Sequence, residues 1–124
     1  LGEIYPKKGK LEDTLFHYEG NKKIFTKALT FYEVIDSNHN YSLLKLTPFT
    51  GRKHQLRKQL FMRGYPILGD NKYKISNNFI SNNLMLHAYK IEFSINDVKY
   101  NFTAKPSKEF EKTIIKKSLK IDLR

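Results

Sequence analysis

The sequence predicts an α+β fold with a mainly antiparallel mixed sheet, a short central helix and a C-terminal helix. Residues 26–36 and 84–95 alternate apolar and polar side chains with a period of two, which is typical of half-buried strands. Each segment is followed by turn-forming residues and a second short alternating run, as in a β-hairpin. Residues 52–63 and 107–119 instead space their apolar side chains as a helix does.

The first half of the chain predicts one hairpin. Residues 1–25 contain several Gly and many Lys and predict a short strand followed by an extended, loop-rich segment. Residues 26–36 form the first strand of the hairpin, and the polar cluster at 36–40 forms its turn. Residues 41–48 then return as the second strand.

The central helix is expected over about residues 52–63. Thr50 is a plausible N-cap, because its hydroxyl could accept a hydrogen bond from the first helical turn. Gly64 stands where a glycine commonly ends a helix.

The last third of the chain predicts a second hairpin and a helix. Residues 84–95 form a long strand, and Asn96 and Asp97 form a tight turn. The return strand over 98–104 is expected to point its apolar side chains inward; these are Val98, Tyr100, Phe102 and Ala104. A terminal helix over about 107–119 should bury Phe110, Ile114 and Leu119.

Composition indicates one globular domain over residues 1–124. The chain is 40% hydrophobic, and no apolar run approaches the roughly 20 residues needed to span a bilayer, so no membrane partner is expected. The sequence has no Cys, which excludes disulfides and thiolate metal sites and fits a cytoplasmic protein.

The charge suits a polyanionic partner such as RNA. The net charge is +11, from 23 basic and 12 acidic residues. Most of the basic residues are Lys, however, and a coding bias alone could produce that excess. The four Arg are more informative, because Arg52, Arg57 and Arg63 lie within twelve residues of one another, and Arg is suited to bidentate contacts and base stacking.

The start of the central helix could bind an anion. Backbone N–H groups at a helix N-terminus favour negative charge, and Arg52, Lys53 and Arg57 would add to that preference. Positive side chains oppose the helix dipole at this end, so they suggest a role other than helix stability. The alternative is a solvated basic first turn.

Two segments carry a longer motif. Residues 46–57 read LTPFTGRKHQLR and residues 64–73 read GYPILGDNKY. They match the pattern L-x-P/L-x-T-G-R-x-H-Q-[IL]-R, then G-x-P-[IL]-x-G-D-x-x-Y, at nearly every fixed position. This sequence resembles the RluA-type pseudouridine synthases, and the similarity runs from residue 1 to about residue 110. Three further stretches also agree: 1–6 (LGEIYP), 84–88 (LMLHA) and 102–106 (FTAKP), the last in an ending one residue shorter than the family's.

The resemblance implies an enzyme that isomerises uridine to pseudouridine in RNA, most readily large-subunit ribosomal RNA and otherwise transfer RNA, without cofactor or metal. It implies that Arg57 is the ion-pair partner of the catalytic aspartate and that Leu56 packs near the target base. Arg52, Lys53 and His54 would lie at the turn beside the site, where we expect them to bind RNA.

The remaining residues of the region have less direct expected roles. Arg63, as a member of the arginine cluster, is expected to contribute to RNA binding. His54 and His87 are expected to be packed residues rather than acid–base catalysts. Pro66, Gly69, Asp70 and Tyr73 are expected to shape the loop after the helix, and Asp70 lacks the H-R-L-D context of the family's nucleophile.

In the family, the H-R-L-D aspartate and the tyrosine of the next motif precede the G-x-I-x-x-P stretch, which here is residues 2–6. Neither residue is therefore expected within residues 1–124. We expect a C-terminal part of a catalytic domain that is inactive without the nucleophile-bearing half, with a sheet edge or face exposed where that half belongs. The alternatives are a non-catalytic RNA-binding remnant of such an enzyme and a generic basic RNA-associated protein.

Overall fold

The computed structural model describes residues 1–74 and 83–120. Seven elements follow in chain order: β1 (Lys8–Glu19), β2 (Lys22–Ser37), β3 (Ser42–Pro48), α1 (Gln55–Met62), β4 (Lys90–Ile95), β5 (Val98–Thr103) and α2 (Lys108–Lys116). The predicted α+β class is confirmed. Each strand pair among these elements is antiparallel, and the strands form two sheets, β1-β2-β3 and β4-β5.

The first sheet is larger than the sequence predicted. The expectation of a short strand and loop over residues 1–25 was wrong, because β1 is a strand of 12 residues that pairs with β2 from Lys8 opposite Glu33 to Glu19 opposite Lys22. A two-residue turn makes this register possible, and Gly20 supplies its positive φ of 60°. The predicted hairpin of β2 and β3 is confirmed, with a register shift between Val34 and Asp36.

One face of this sheet carries the core. Ile4, Leu11 and Leu60 form a buried cluster, in which Leu60 comes from α1 and Leu11 from β1. Partly buried side chains of β2, β3 and the loop after α1 pack around it: Tyr32, Val34, Leu44, Leu46, Tyr65 and Ile67. Successive side chains of a strand point to opposite faces of the sheet. The face that carries these core residues packs against α1, and the other face points outward.

The central helix is shorter than predicted at its start. It begins at Gln55, and Thr50 is not the N-cap: His54 precedes the helix in the left-handed conformation (φ 53°) without a capping side chain. The predicted end is confirmed. Gly64 (φ 83°) donates to the Phe61 carbonyl and Tyr65 donates to the Leu60 carbonyl, which is the Schellman arrangement.

The second hairpin differs from its prediction in two ways. Strand β4 begins at Lys90 instead of residue 84, because the preceding segment follows the loop after α1, where the Met85 N–H donates to the Leu68 carbonyl (2.9 Å). The tight turn is confirmed, with positive φ at both Asn96 and Asp97. The inward placement of the apolar side chains of 98–104 was wrong. All of β5 is exposed, because among residues 1–74 and 83–120 β4 and β5 form a two-stranded sheet with no further strand.

The C-terminal helix starts as predicted, with the Ser107 hydroxyl accepting from the Phe110 N–H, but it ends at Lys116. Ile114 and Leu119 are buried, and Phe110 is half-buried. Two hydrogen bonds attach this region to the end of β2: the Asn38 side chain donates to the Lys117 carbonyl (2.8 Å), and the Lys120 N–H donates to the Asp36 carboxylate (2.6 Å). Within the described ranges, no helix is long and apolar enough to cross a membrane.

Gly69 is expected to be intolerant of any side chain. A Cβ there would lie 1.9 Å from the backbone oxygen of Asn83, and the residue has a φ of 85°. We expect Gly69→Ala to lower the free energy of unfolding by about 2 kcal/mol or more, measured by urea denaturation. Gly51→Ala is the matched control, because a Cβ at Gly51 meets nothing within 4 Å. An equal loss in both variants would contradict the steric explanation.

Candidate active site

The site is built on the turn between β3 and α1. At the end of β3, the Phe49 N–H donates to the Leu29 carbonyl (2.8 Å), and the Thr50 hydroxyl accepts from the Leu29 N–H (3.0 Å). The same hydroxyl donates to the Gln55 side-chain oxygen (2.6 Å), which also accepts from the Arg52 N–H (3.0 Å). The Gln55 side chain, at the first residue of α1, therefore ties the β3–α1 turn together, and the Thr50 hydroxyl is bonded to Leu29 and Gln55 instead of capping the helix.

A buried chain of hydrogen bonds continues from this turn under the helix. The Gln55 amide donates to the Thr30 hydroxyl (2.9 Å), and that hydroxyl donates to the Gln59 side-chain oxygen (2.6 Å). The Gln59 amide lies within hydrogen-bond distance of the Leu11 and Ala28 carbonyls (3.0 and 3.2 Å). Thr30 and Gln59 are completely buried, so their polar atoms depend on one another for partners. These bonds fix the rotation of α1 on the sheet.

The opposite side of α1 carries Arg57, which forms a fork-like ion pair with Asp70. The guanidinium Nε lies 2.8 Å from one carboxylate oxygen and Nη2 lies 2.7 Å from the other. The backbone N–H groups of Lys72 and Tyr73 also donate to Asp70, at 2.9 and 3.0 Å. The Asp70 side chain is fully buried, whereas that of Arg57 is 19% exposed.

This geometry keeps both partners charged. The hydrogen bonds from Arg57 hold the pKa of the Asp70 carboxyl far below its usual range, and the two backbone donors add to the effect. The hydrogen bond to Asp70 in turn raises the pKa of Arg57. The result is an ionised, immobilised carboxylate beneath a partly exposed guanidinium.

An aromatic ring borders the exposed side of this pair. The guanidinium carbon of Arg57 lies 5.2 Å from the centre of the Tyr73 ring, within the range of a cation–π contact. The Tyr73 hydroxyl lies 3.2 Å from Nδ1 of His54. Partial desolvation, and then the positive charge of Arg57 and nearby Lys, lowers the pKa of His54 and so favours the neutral imidazole.

The predicted site residues do not all meet at one place. Arg57 and His54 lie together beside Tyr73, as described above. Arg52 lies on the sheet side of the turn, where its Nε donates to the Lys27 carbonyl (3.0 Å), and Lys53 is exposed. Arg63 lies at the far end of α1 and pairs with Asp13 (2.6 Å).

Leu56 lines a separate, mostly apolar cleft of about 840 Å³. The cleft is bordered by β3, the loop after α1, the segment that leads into β4, and α2. Its volume falls in the range of ligand pockets, and its lining is rich in Leu and Ile. Among residues 1–74 and 83–120, no group of three or more His, Asp or Glu side chains is arranged to hold a metal ion.

Sequence reasoning assigned only shaping roles to two residues of the site, Asp70 and Tyr73, and missed the buried pair Gln55 and Gln59. The G-D-x-x-Y spacing could have indicated that the Asp70 side chain bonds the following turn, since an Asp side chain commonly accepts hydrogen bonds from N–H groups two and three residues later. Nothing local identified Asp70 as the partner of Arg57, thirteen residues earlier in the chain.

Comparison with known proteins identifies the family of this chain. The family model described as RNA pseudouridylate synthase matches residues 6–61, which include β1 to β3 and nearly all of α1. Ribosomal large subunit pseudouridine synthase D of Borreliella burgdorferi is 37% identical over 115 residues, covering 86% of this chain. The chain belongs to the RluA-type pseudouridine synthase family. The dual-specificity RNA pseudouridine synthase RluA of Pasteurella multocida, another relative, is 42% identical over 84 residues, or 64% of this chain.

Solved structures support the same family fold. Human RNA pseudouridylate synthase domain containing 4 superposes with a TM-score of 0.74 and 24% identity, covering 94% of this chain and 58% of its own. The chain spans only about a third of its curated relatives, 34% of the Borreliella protein and 38% of the Pasteurella protein. It therefore represents part of the length of a family member.

The buried glutamine network should contribute strongly to stability. We expect Gln59→Met to lower the free energy of unfolding by about 2–3 kcal/mol, because it removes the acceptor of the buried Thr30 hydroxyl and a side-chain donor to the Leu11 and Ala28 carbonyls and to the Asp13 carboxylate. Urea denaturation measures the loss. Thr30→Val in both backgrounds completes a double-mutant cycle, and a coupling energy below about 0.5 kcal/mol would contradict a shared network.

The Arg57–Asp70 pair should make stability depend on acid pH. The folded-state pKa of Asp70 lies below its unfolded value of about 3.9, so the pair stabilises the protein above that value and the contribution is lost as the pH falls further. We expect the free energy of unfolding of Asp70→Asn to be about 2 kcal/mol lower than that of the original chain at pH 7. This difference should become smaller as the pH falls below about 5.

The control for this prediction is Asp97→Asn in the exposed β4–β5 turn, where Asn also tolerates the positive φ. That variant should stay within about 0.5 kcal/mol of the original at every pH. Urea midpoints measured between pH 3 and 8 give the comparison. If the stability difference between Asp70→Asn and the original chain does not change with pH, the ionised Asp70 carboxylate is not what causes that difference.

Proposed function

We propose that this chain forms the C-terminal part of the catalytic domain of an RNA pseudouridine synthase. The observation that carries the proposal is the Arg57–Asp70 fork, which fixes the family's motif arginine at a partly exposed position. The proposal also rests on the family membership and on the charge of +11, which suits an RNA substrate.

In this proposal, Arg57 orients the catalytic carboxylate. A guanidinium has five N–H donors, and the fork to Asp70 uses one on Nε and one on Nη2. The remaining donors can receive a second carboxylate, which they would hold ionised and in a fixed orientation. That carboxylate would be the aspartate of the H-R-L-D segment, supplied by the half of the domain that precedes this chain in the family.

Asp70 itself is a poor candidate for the nucleophile. Its side chain is fully buried, and both carboxylate oxygens already accept hydrogen bonds. The depressed pKa also means that its lone pairs are weakly basic, which lowers nucleophilicity. Asp70 is better suited to holding Arg57 in place.

The proposed reaction is an isomerisation. The target uridine is flipped out of its stack, the carboxylate acts on the sugar or base, the C1′–N1 bond breaks, and a C1′–C5 bond forms after the uracil rotates. Substrate and product contain the same atoms, so no oxidant, reductant or group donor is needed. Leu56, at the cleft, would pack against the base.

The proposed substrate is large-subunit ribosomal RNA. The Borreliella relative carries that substrate in its name, although a Haemophilus ducreyi relative, 35% identical over 112 residues, is named a tRNA pseudouridine synthase. We place the protein in the cytoplasm as part of the same proposal, since the Cys-free sequence suits a reducing compartment.

Tritium release from RNA labelled at uridine C5 tests the proposed activity. The assay compares this chain alone with the chain preceded by an H-R-L-D-bearing half. Release only from the longer protein supports the proposal. Release from this chain alone would assign the nucleophile to residues 1–124 and return attention to Asp70. No release from either, with RNA still bound, would favour a non-catalytic RNA-binding protein.

Arg57→Lys in the longer protein should separate catalysis from binding. Lysine keeps the positive charge but cannot form the two parallel hydrogen bonds of the guanidinium. The catalytic carboxylate should therefore be oriented less well, while the electrostatic attraction of RNA is retained. We expect kcat to fall by about 100-fold and the Kd for RNA to stay within about threefold. Lys112→Ala, which removes an exposed cation on α2, is the control and should change kcat little. An unchanged kcat in Arg57→Lys would remove Arg57 from the site.

A further inference from the structure

The outer face of the three-stranded sheet, opposite α1, carries an unusual number of exposed rings. They are Phe16, Tyr18, Phe25, Phe31 and Phe49, which are 43–76% exposed. A single exposed aromatic residue is ordinary, but two groups of exposed rings on one face of a sheet mark an interaction surface. We call this surface the aromatic face.

The strand register produces the group. Phe16 of β1 lies directly opposite Phe25 of β2, with ring centres 6.3 Å apart, and Tyr18 meets Phe16 edge-on at 6.0 Å. A second pair lies further along the same face, where Phe31 and Phe49 meet edge-on at 5.9 Å. Phe25 and Phe31 are six residues apart in one strand, so the face extends for about 20 Å.

Cations are interleaved with these rings. The ammonium of Lys23 lies 4.1 Å from the ring centre of Phe16 and 5.4 Å from that of Phe25. Lys27 follows two residues after Phe25 on the same side of β2, and its carbonyl accepts the guanidinium of Arg52. The aromatic face therefore continues into the basic turn that precedes α1.

The chemistry of this face suits nucleic acid better than protein. Lys is depleted at the core of protein interfaces, where its ammonium would have to be desolvated. Unpaired RNA presents flat bases and a phosphate backbone, which match exposed rings and interleaved cations, respectively. The apolar chemistry expected of a packed protein segment is found instead in the cleft lined by Leu56.

We propose that the aromatic face binds an unpaired segment of RNA, with bases stacked on Phe16 and Phe25 and phosphates held by Lys23 and Lys27. The proposal deepens the proposed function and rests on it, because it gives the substrate RNA a second point of contact outside the catalytic cleft. The aromatic face should bind unpaired RNA in preference to duplex RNA, since paired bases are already stacked on one another.

The absence of Trp from the sequence allows a direct test on residues 1–124. Phe25→Trp would introduce a single Trp into the aromatic face, and Ile115→Trp would introduce one at a site on α2 that is 75% exposed. A 12-nucleotide oligouridine is titrated into each variant. We expect quenching of Trp emission in Phe25→Trp, little change in Ile115→Trp, and weaker quenching of Phe25→Trp by duplex RNA of the same length.

Two further variants separate stacking from charge. The double variant Phe16→Leu/Phe25→Leu keeps apolar side chains but removes the rings, and it should weaken oligouridine binding about tenfold or more with an unchanged salt dependence. Lys23→Gln should reduce the slope of log K against log salt by about 0.7, and Lys112→Gln, on α2, should leave it unchanged. Urea denaturation checks that each variant is folded.

Several outcomes would overturn the proposal. Oligouridine binding without quenching of Phe25→Trp would assign RNA to another surface. Concentration-dependent quenching without RNA, together with a dimer in sedimentation, would make the face an interface between copies of this chain. Either result leaves the proposed synthase intact, because that activity is tested separately by tritium release.

Discussion

The buried hydrogen bonds among Gln55, Thr30 and Gln59 are the constraint on which the rest of the structure depends. Helix α1 has only eight residues, too few to be stable in isolation, so it owes its position to tertiary contacts. Leu60 supplies the apolar contact with β1, but apolar contact alone would permit rotation or sliding. The two glutamines remove that freedom, because each has polar atoms that are satisfied at only one register of helix against sheet.

This constraint carries through to the candidate site. Once the glutamine side of α1 faces the sheet, Arg57 must project from another side, toward the loop that contains Asp70. That loop is itself held where the residue 83 region crosses Gly69, at a distance that excludes a side chain. The fork between Arg57 and Asp70 therefore joins two segments that are each fixed independently, so both side chains start from fixed backbone positions.

The features that could be predicted from the sequence are those that depend on neighbouring residues in the chain. The Schellman end of α1 at Gly64 and the turn at Asn96 and Asp97 depend on residues within a few positions, and both predictions were confirmed. The predictions that failed required knowledge of distant partners. Strand β1 could not be recognised without its pairing to β2. Thr50 could not be distinguished from an N-cap without knowing that its hydroxyl accepts from the Leu29 N–H and donates to the Gln55 side chain.

The Arg57–Asp70 pair has a further consequence for how charge is distributed over the molecule. A guanidinium bound to a buried carboxylate forms a nearly neutral unit at a distance, although its remaining N–H groups still orient an acceptor at close range. Long-range attraction of a polyanion must then come from cations on the sheet face and the helix surfaces, whose influence fades over about 8 Å in physiological salt. Attraction of the polyanion would thus weaken as the ionic strength rises, whereas the close-range orientation of an acceptor by the Arg57 N–H groups would depend on salt much less.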